Sequence, residues 1–284
     1  MKLYAPSTIR DIRDRYGFKL SKSLGQNFLT DKNIIDKIIE ATEITEDDLV
    51  IEIGPGIGVL TAEAARLAKK VVAVEIDKNL IPILKETLAE FDNVEIINQD
   101  VLKTDLNEII RTSGCKQAKI IGNLPYYITT PIIMGILENH VIANSITIMM
   151  QKEVADRIKS QPGTKAYGAL SVAVQYYCTV DSVAIVPKEV FVPIPKVDSA
   201  VLRLNIRGER PVDLVDEDMF FRCIKAGFGQ RRKTLSNSLM GVGCVTKEEV
   251  KAALNACDID EKRRAETLSL DEFACLANYF GKRE

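Results

Sequence analysis

An amide, a carbonyl held ahead of a proline and an aromatic ring stand side by side at Asn123-Leu124-Pro125-Tyr126, directly after the apolar run Lys119-Ile120-Ile121-Gly122. These parts suit a flat heterocycle bearing an exocyclic amine. The Asn123 side-chain oxygen and the Leu124 carbonyl can each accept one N–H of such an amine. Pro125 stiffens the turn and biases Leu124 toward extended backbone. Tyr126 can stack on a base that has left its helix. The same four residues also make an ordinary strand-to-loop turn, because Asn and Pro are common turn formers. The reading therefore depends on what accompanies them.

Ile51-Glu52-Ile53-Gly54-Pro55-Gly56-Ile57-Gly58 joins an apolar run to a helical one. Its glycines permit a tight turn and let a ligand approach the backbone. The spacing is G-x-G-x-G, not the dinucleotide form G-x-G-x-x-G, and alone it is a weak signal. Two acids strengthen it. Glu75 lies near the end of the next apolar run, where a carboxylate can take both ribose hydroxyls of a nucleoside. Asp100 follows the run after that, where it can meet the exocyclic amine of a bound adenine. In a doubly wound sheet such strand ends converge on one crevice, so their joint placement predicts a nucleoside-containing cofactor.

The elements that must position these groups alternate along the chain. Strands are expected over Leu49–Ile53, Val71–Ile76, Val94–Asn98, Lys119–Asn123 and Ser145–Met150. Helical patterns separate them, among them Thr61–Lys70, Asn79–Phe91 and Pro131–Asn139, the last with Thr130 as N-cap. This alternation predicts a parallel sheet covered on both faces. Ser182–Val186 and Ser199–Ile206 have no helix between them and are expected to form an antiparallel edge pair. After Arg207-Gly208-Glu209-Arg210-Pro211 the pattern turns helical, with Phe220, Phe221, Ile224 and Phe228 at helical spacing. The predicted domains are residues 1–207 and 208–284.

Composition sets outer limits. A chain of 284 residues with 46% hydrophobic content can bury one large or two modest cores. The net charge of −2 gives no global sign of nucleic-acid binding, so any such role must rest on local patches. No apolar run approaches the roughly 20 residues of a membrane span, and Met1 to Gly17 lacks the apolar stretch of a secretory signal. Six cysteines without a C-x-x-C pair and a single histidine, His140, make a zinc site an unfavoured reading. The cysteines are expected to be reduced, mostly structural thiols of a cytoplasmic protein, and His140 a surface residue closing a helix.

The motif series Gly54-Pro55-Gly56-Ile57-Gly58, Glu75, Asp100 and Asn123-Leu124-Pro125-Tyr126 resembles that of S-adenosylmethionine-dependent methyltransferases acting on adenine in RNA. Lys22-Ser23-Leu24-Gly25-Gln26-Asn27-Phe28-Leu29 resembles the N-terminal signature of ribosomal RNA adenine dimethyltransferases, and Phe191-Val192-Pro193-Ile194-Pro195-Lys196-Val197-Asp198-Ser199 resembles another segment of them. Gln230 to Leu239 is similar to the C-terminal domain of the small-subunit branch, the KsgA type. The resemblance spans roughly residues 20 to 280. It implies an α/β fold, a Rossmann-like seven-stranded methyltransferase sheet whose last pair is antiparallel, with a small all-helical C-terminal domain. It implies S-adenosylmethionine as cofactor, without a metal, contacted by Asn27, Leu29, Gly54, Gly56, Glu75, Asp100 and Asn123. Catalysis would rest on Asn123, Leu124, Pro125 and Tyr126, with Phe191 as the second face of a sandwich around the target base; Phe191 reads equally well as a core aromatic.

An aryl amine is a poor nucleophile because its lone pair is delocalised into the ring. Two acceptors orient its N–H bonds, favour a pyramidal nitrogen and stabilise the positive charge that methylation leaves. RNA contact must come from local charge. Arg222, Lys225, Arg231, Arg232, Lys233 and Lys247 lie in a segment without acids, and a second basic segment comprises Lys2, Arg10, Arg13, Arg15, Lys19 and Lys22. Such stretches position RNA through its phosphates. The resulting expectation is a monomeric cytoplasmic enzyme that dimethylates two adjacent adenines near the 3′ end of small-subunit (16S) ribosomal RNA within a pre-ribosomal particle. The rivals are a large-subunit adenine methyltransferase of the antibiotic-resistance type, an NAD-dependent dehydrogenase, which the glycine spacing disfavours, and a noncatalytic assembly factor.

Overall fold

The computed structural model describes residues 2–17, 26–243 and 245–282. Its contacts divide the chain into two units: Met1–Ala155 with Val180–Ile206, and Asp156–Thr179 with Arg207–Glu284. Among the described residues no helix is long and apolar enough to cross a membrane.

The strands are β1 (Phe28–Leu29), β2 (Asp48–Ile53), β3 (Lys70–Glu75), β4 (Val94–Asn98), β5 (Gln117–Asn123), β6 (Ser145–Gln151), β7 (Cys178–Val186), β8 (Phe191–Val192) and β9 (Ser199–Ile206). Seven form one sheet in the order β4-β3-β2-β5-β6-β9-β7, while β1 and β8 form a separate antiparallel ribbon. Strands β2 to β6 pair in parallel, and β9 runs antiparallel to β6. The fold is thus α/β and Rossmann-like. Every residue of β2 is buried, as expected of a central parallel strand covered on both faces. The chain lays β3 and β4 on one side of β2 and then returns to place β5 on the other. That reversal opens a crevice at the carboxyl ends of β2 and β5.

The helices of the first unit begin with α1 (Pro6–Tyr16) and α2 (Lys32–Thr42). The N-cap Asp31 accepts the Asn33 and Ile34 N–H groups, and Ile34, Ile35, Ile38 and Ile39 form one buried stripe of α2. Next come α3 (Val59–Ala65), α4 (Ile81–Thr87), α5 (Leu106–Thr112) and α6 (Thr129–Glu138). Two of these are shorter than their periodicity predicts. The chain must leave α3 early enough to enter β3 at Lys70, and α4 begins at Ile81 because Pro82 occupies its first turn. Helix α6 starts at Thr129, so Thr130 is not its cap; Pro131 still lies in the first turn, where its missing N–H costs no helical bond.

At the amino ends of β2 and β5, Lys119 Nζ and Asp48 Oδ2 lie 2.9 Å apart with side chains 7% and 2% exposed. Lys119 also donates to the Glu43 carbonyl, and the Glu43 carboxylate pairs with Arg203 at 2.6 Å. The charges are satisfied in the core, which is the condition for such a pair to be tolerated there.

Helix α7 (Lys152–Lys159) leads from β6. The second unit contains α8 (Ala169–Tyr177), α9 (Glu217–Gly229), α10 (Leu235–Ser238), α11 (Lys247–Ala256) and α12 (Leu270–Gly281). It is helical as expected, but it is not continuous in sequence. The single boundary at 208 leaves residues 156–179 in the wrong group. Tyr176 and Tyr177 explain why: their hydroxyls donate to the two oxygens of Glu217 at 2.9 and 2.6 Å, and Tyr177 stacks on Phe221. The expectation of six thiols is also corrected, because Cys257 and Cys275 form a disulfide joining α11 to α12. Cys178 and Cys223 are buried free thiols that burial pushes up to about 12, and Cys244 lies outside the described residues.

Candidate functional site

The crevice at the carboxyl ends of β2, β3 and β5 is lined by Gln26 to Leu29, the glycine loop, Glu75, Asp100 and Asn123 to Ile128. Every cofactor and catalytic residue expected from sequence meets there except Phe191. Gly56 has φ 62°, and a Cβ on it would lie 3.0 Å from the Phe28 ring. Only glycine fits this left-handed turn beside the N-terminal segment.

Glu75 ends β3 with only 5% exposure. Its Oε1 accepts the Asp77 N–H at 2.8 Å. Burial raises its pKa to about 7, with backbone donors at Asp77, Gly56 and Ile76 pulling the other way. Asp77 in turn accepts from Gln26 Nε2 at 2.9 Å, tying the N-terminal segment to the end of β3. Asp100 caps a short turn, its Oδ1 accepting the Leu102 N–H at 3.0 Å.

At the end of β5, the Asn123 Nδ2 donates to the Asn27 carbonyl at 2.8 Å. This bond fixes the amide plane and leaves Oδ1 as its acceptor edge. The Leu124 N–H donates to the Met149 carbonyl at 3.2 Å, anchoring the loop to β6. Tyr126 Oη and Ser199 Oγ share a hydrogen bond of 2.8 Å, which holds the ring against β9. Burial, chiefly, raises the Tyr126 pKa, so the ring is a neutral aromatic surface at physiological pH. Gly122 makes the approach possible: a Cβ there would stand 2.8 Å from the Ile53 carbonyl oxygen. The Asn123 amide oxygen, the Leu124 backbone and the Tyr126 ring thus line one cleft, which is chemistry suited to orienting an aromatic amine.

For Phe191 the core alternative holds in place of the base-stacking one. It is 1% exposed, pairs across the ribbon with Leu29 and packs in the core with Ile34, Val186 and Val201. It is not among the residues that line the cleft, whereas Tyr126 is.

Sequence reading missed Glu52, which is 2% exposed, lines the cleft and accepts from Thr61 Oγ1 at 2.5 Å. Burial raises its pKa to about 8. The signal was available, since an acid inside an apolar strand run is itself a flag. Gln26 and Ser199 were visible only as parts of motifs, without roles.

The basic residues of the second unit divide. Arg222 donates through Nε and Nη2 to the Val242 carbonyl, and Arg231 donates to the Lys165 and Tyr167 carbonyls. Both guanidinium groups therefore hold backbone. Lys225, Arg232 and Lys233 are exposed and make no ion pair among the described residues. In the first unit Arg15 pairs with Glu86 at 2.5 Å. Lys19, Lys22 and the rest of Lys22 to Gly25 lie outside the described residues. No group of three or more His, Cys, Asp or Glu side chains is placed to hold a metal among those described.

The sequence model described as "Ribosomal RNA adenine dimethylase" matches residues 17–282. A curated relative from Clostridioides difficile (strain 630), named "Ribosomal RNA small subunit methyltransferase A", is 53% identical over 98% of this chain and 96% of its own length. A protein of the same name from Alkaliphilus metalliredigens (strain QYMF) is 52% identical over 100% and 99%. Among solved structures, a dimethyladenosine transferase from Plasmodium falciparum aligns with TM-score 0.77 at 27% identity, covering 89% of this chain and 97% of that one. The 23S rRNA methyltransferase ErmE aligns with TM-score 0.67 at 28% identity, covering 89% and 98%.

Proposed function

The chain belongs to the ribosomal RNA adenine dimethylase family, and from that premise we propose that it dimethylates the exocyclic amines of two adjacent adenines near the 3′ end of small-subunit ribosomal RNA, with S-adenosylmethionine as methyl donor. It is an RNA methyltransferase acting in ribosome biogenesis. The substrate is a pre-ribosomal particle and the location cytoplasmic. The small-subunit assignment is supported by relatives of that name at 52–53% identity, against 28% for the 23S enzyme.

The cleft fits the cofactor. The left-handed glycine turn leaves room where a side chain would stand, Glu75 places a carboxylate for ribose hydroxyls, and Asp100 places one for an adenine amine. When bound, S-adenosylmethionine supplies an electrophilic methyl group. The protein does the rest by position. Asn123 Oδ1 and the Leu124 carbonyl take the two N–H bonds of the target amine and turn its lone pair out of conjugation. Tyr126 supports the ring. After transfer the same acceptors face a cationic amine, which they hold more strongly than the neutral one. The methyl–sulfur bond breaks as the carbon–nitrogen bond forms, leaving a neutral thioether, and the cationic amine loses one proton to water without a protein base. The second transfer would need a fresh molecule of methyl donor and a monomethylated amine with one N–H left, which one of the two acceptors would hold.

The observation that carries this reading is the Asn123–Asn27 hydrogen bond, which orients an otherwise free amide as an acceptor inside the cleft. Incubating the protein and methyl-labelled cofactor with separate small- and large-subunit precursors, then mapping methylated bases, tests it. Dimethyladenine confined to the small-subunit RNA supports the assignment; label in the large-subunit RNA or in neither overturns it.

A further inference from the structure

Two tyrosines stand side by side on the turn that follows Asn123, and the fold uses only one of them. The Pro125 carbonyl accepts the Ile128 N–H at 3.1 Å and the Thr129 hydroxyl at 3.0 Å. Pro125 to Ile128 is therefore a closed turn leading straight into α6, and Tyr126 and Tyr127 are its central residues. The Tyr126 ring is half-buried and its hydroxyl is held at Ser199. Tyr127 is 60% exposed. It has no hydrogen-bond or aromatic partner among the described residues.

A single exposed apolar side chain is ordinary on a protein surface. What separates Tyr127 is its place. Among the described residues that line the cleft, only Ile76 and Tyr127 are large apolar side chains left exposed. Ile76 follows Glu75, at the end where the cofactor carboxylates lie. Tyr127 follows Tyr126, at the end where the target amine is received. Its backbone is fixed by the closed turn, so the ring is presented rather than loose. Its hydroxyl has no assigned partner, so what it offers a ligand is a flat apolar face. A base drawn out of its helix leaves the next base in the strand with one face unstacked. An aromatic ring replaces that stack whatever the base, because every base has a π-face. Consecutive Cα atoms are only about 3.8 Å apart, so neighbouring rings on one turn can serve neighbouring nucleotides.

We propose that Tyr127 is a stacking platform for the nucleobase that adjoins the target adenine in the RNA strand. The platform deepens the adenine methyltransferase reading and rests on it. Where two adjacent adenines are the targets, the neighbour on one side is the other adenine. Tyr127 then holds the second substrate base while Tyr126 and Asn123 hold the first.

The test removes the ring and the base, separately and together. Small-subunit precursor is assembled with RNA in which a single nucleotide, on one side or the other of a target adenine, is abasic. Affinity for each particle is measured with the wild type, Tyr127→Ala and Tyr127→Phe. The wild type should lose about tenfold in affinity when one of the two flanking bases is missing, the order of one base–aromatic stack. Tyr127→Ala should lose about tenfold on the intact RNA and nothing further on that abasic RNA. Tyr127→Phe should bind within about twofold of the wild type, and both variants should match it in cofactor affinity and thermal unfolding. Equal losses of wild type and Tyr127→Ala at every abasic position overturn the platform, and so does wild-type affinity of Tyr127→Ala for the intact particle. Loss of cofactor affinity in place of RNA affinity gives the ring to the cofactor and overturns it too. Binding by Tyr127→Phe as weak as by Tyr127→Ala makes the contact one of the hydroxyl, which overturns stacking. If the wild type methylates no adenine in the intact particle, the underlying reading fails instead, a result distinct from loss of the platform.

Discussion

Asn123 and Asn27, 96 residues apart in sequence, meet through one hydrogen bond in which the Asn123 amide donates to the Asn27 carbonyl at 2.8 Å. The contact joins the end of β5 to the segment that precedes β1. It makes the orientation of the amide depend on closure of the N-terminal segment over the cleft. The proposed cofactor site and the proposed amine site therefore share this contact.

Glu75→Ala should weaken cofactor binding by about 1.5–3 kcal/mol, the range for losing a hydrogen-bonded charged partner. RNA binding should change little. Calorimetric titration of the folded variant checks this, and an unchanged cofactor affinity removes Glu75 from the site.

The raised pKa of Glu75, about 7 because the group is buried, adds a pH dependence. Ribose hydroxyls need the carboxylate as acceptor, so cofactor affinity should fall as pH drops below about 7. Stability of the free protein runs the other way. The folded pKa lies above the ordinary 4.5, so the folded state binds the proton more tightly than the unfolded state. Glu75's contribution to stability therefore declines as pH rises from about 4.5 to about 7, then levels. Glu75→Gln should flatten both profiles between those limits, as read by titration and by denaturant melts.

Gly122→Ala places a Cβ 2.8 Å from the Ile53 carbonyl oxygen. The strands must shift, at a cost of about 1–3 kcal/mol. Because Asn123 is the next residue, methyl transfer should fall more than cofactor affinity. A variant with wild-type melting and wild-type turnover would show that β2 and β5 yield freely here.

Asp48→Ala should cost about 3–5 kcal/mol, since Lys119 would remain buried without its partner. Urea melts measure it. A loss below about 1 kcal/mol would mean that the Glu43 carbonyl alone satisfies the lysine.

Charge removal in the second unit should separate two roles. Arg232→Ala/Lys233→Ala should weaken particle binding and make its salt dependence shallower, because both side chains are exposed and unpaired among the described residues. Arg231→Ala should mainly lower stability, since its guanidinium bridges the Lys165 and Tyr167 carbonyls. Binding isotherms across salt and thermal melts tell the two apart.

Much of this was legible in sequence because it is local or periodic. The apolar runs of β2 to β6 mark a parallel sheet, and acids at their ends mark the crevice. What sequence hid was pairing across distance. Phe191 read equally as a base-stacking ring and as a core aromatic, and only its cross-strand partner Leu29, 162 positions away, decides for the core. Residues 156–179 read as part of the first unit, yet Tyr176 and Tyr177 are claimed by Glu217. Cys257 and Cys275 lie 18 residues apart with nothing in their spacing to announce a bond. The Asn123 motif named its own residues but not Asn27 as the donor's partner.

That partnership is the central claim, and single-turnover methyl transfer with Asn123→Ala, at saturating cofactor and small-subunit precursor, tests it most directly. Loss of an oriented acceptor should slow transfer on the order of 10²-fold, while affinity for the particle stays within about twofold. A rate near that of the wild type would contradict the account, because the amine would then be activated without the amide that the cleft holds in place.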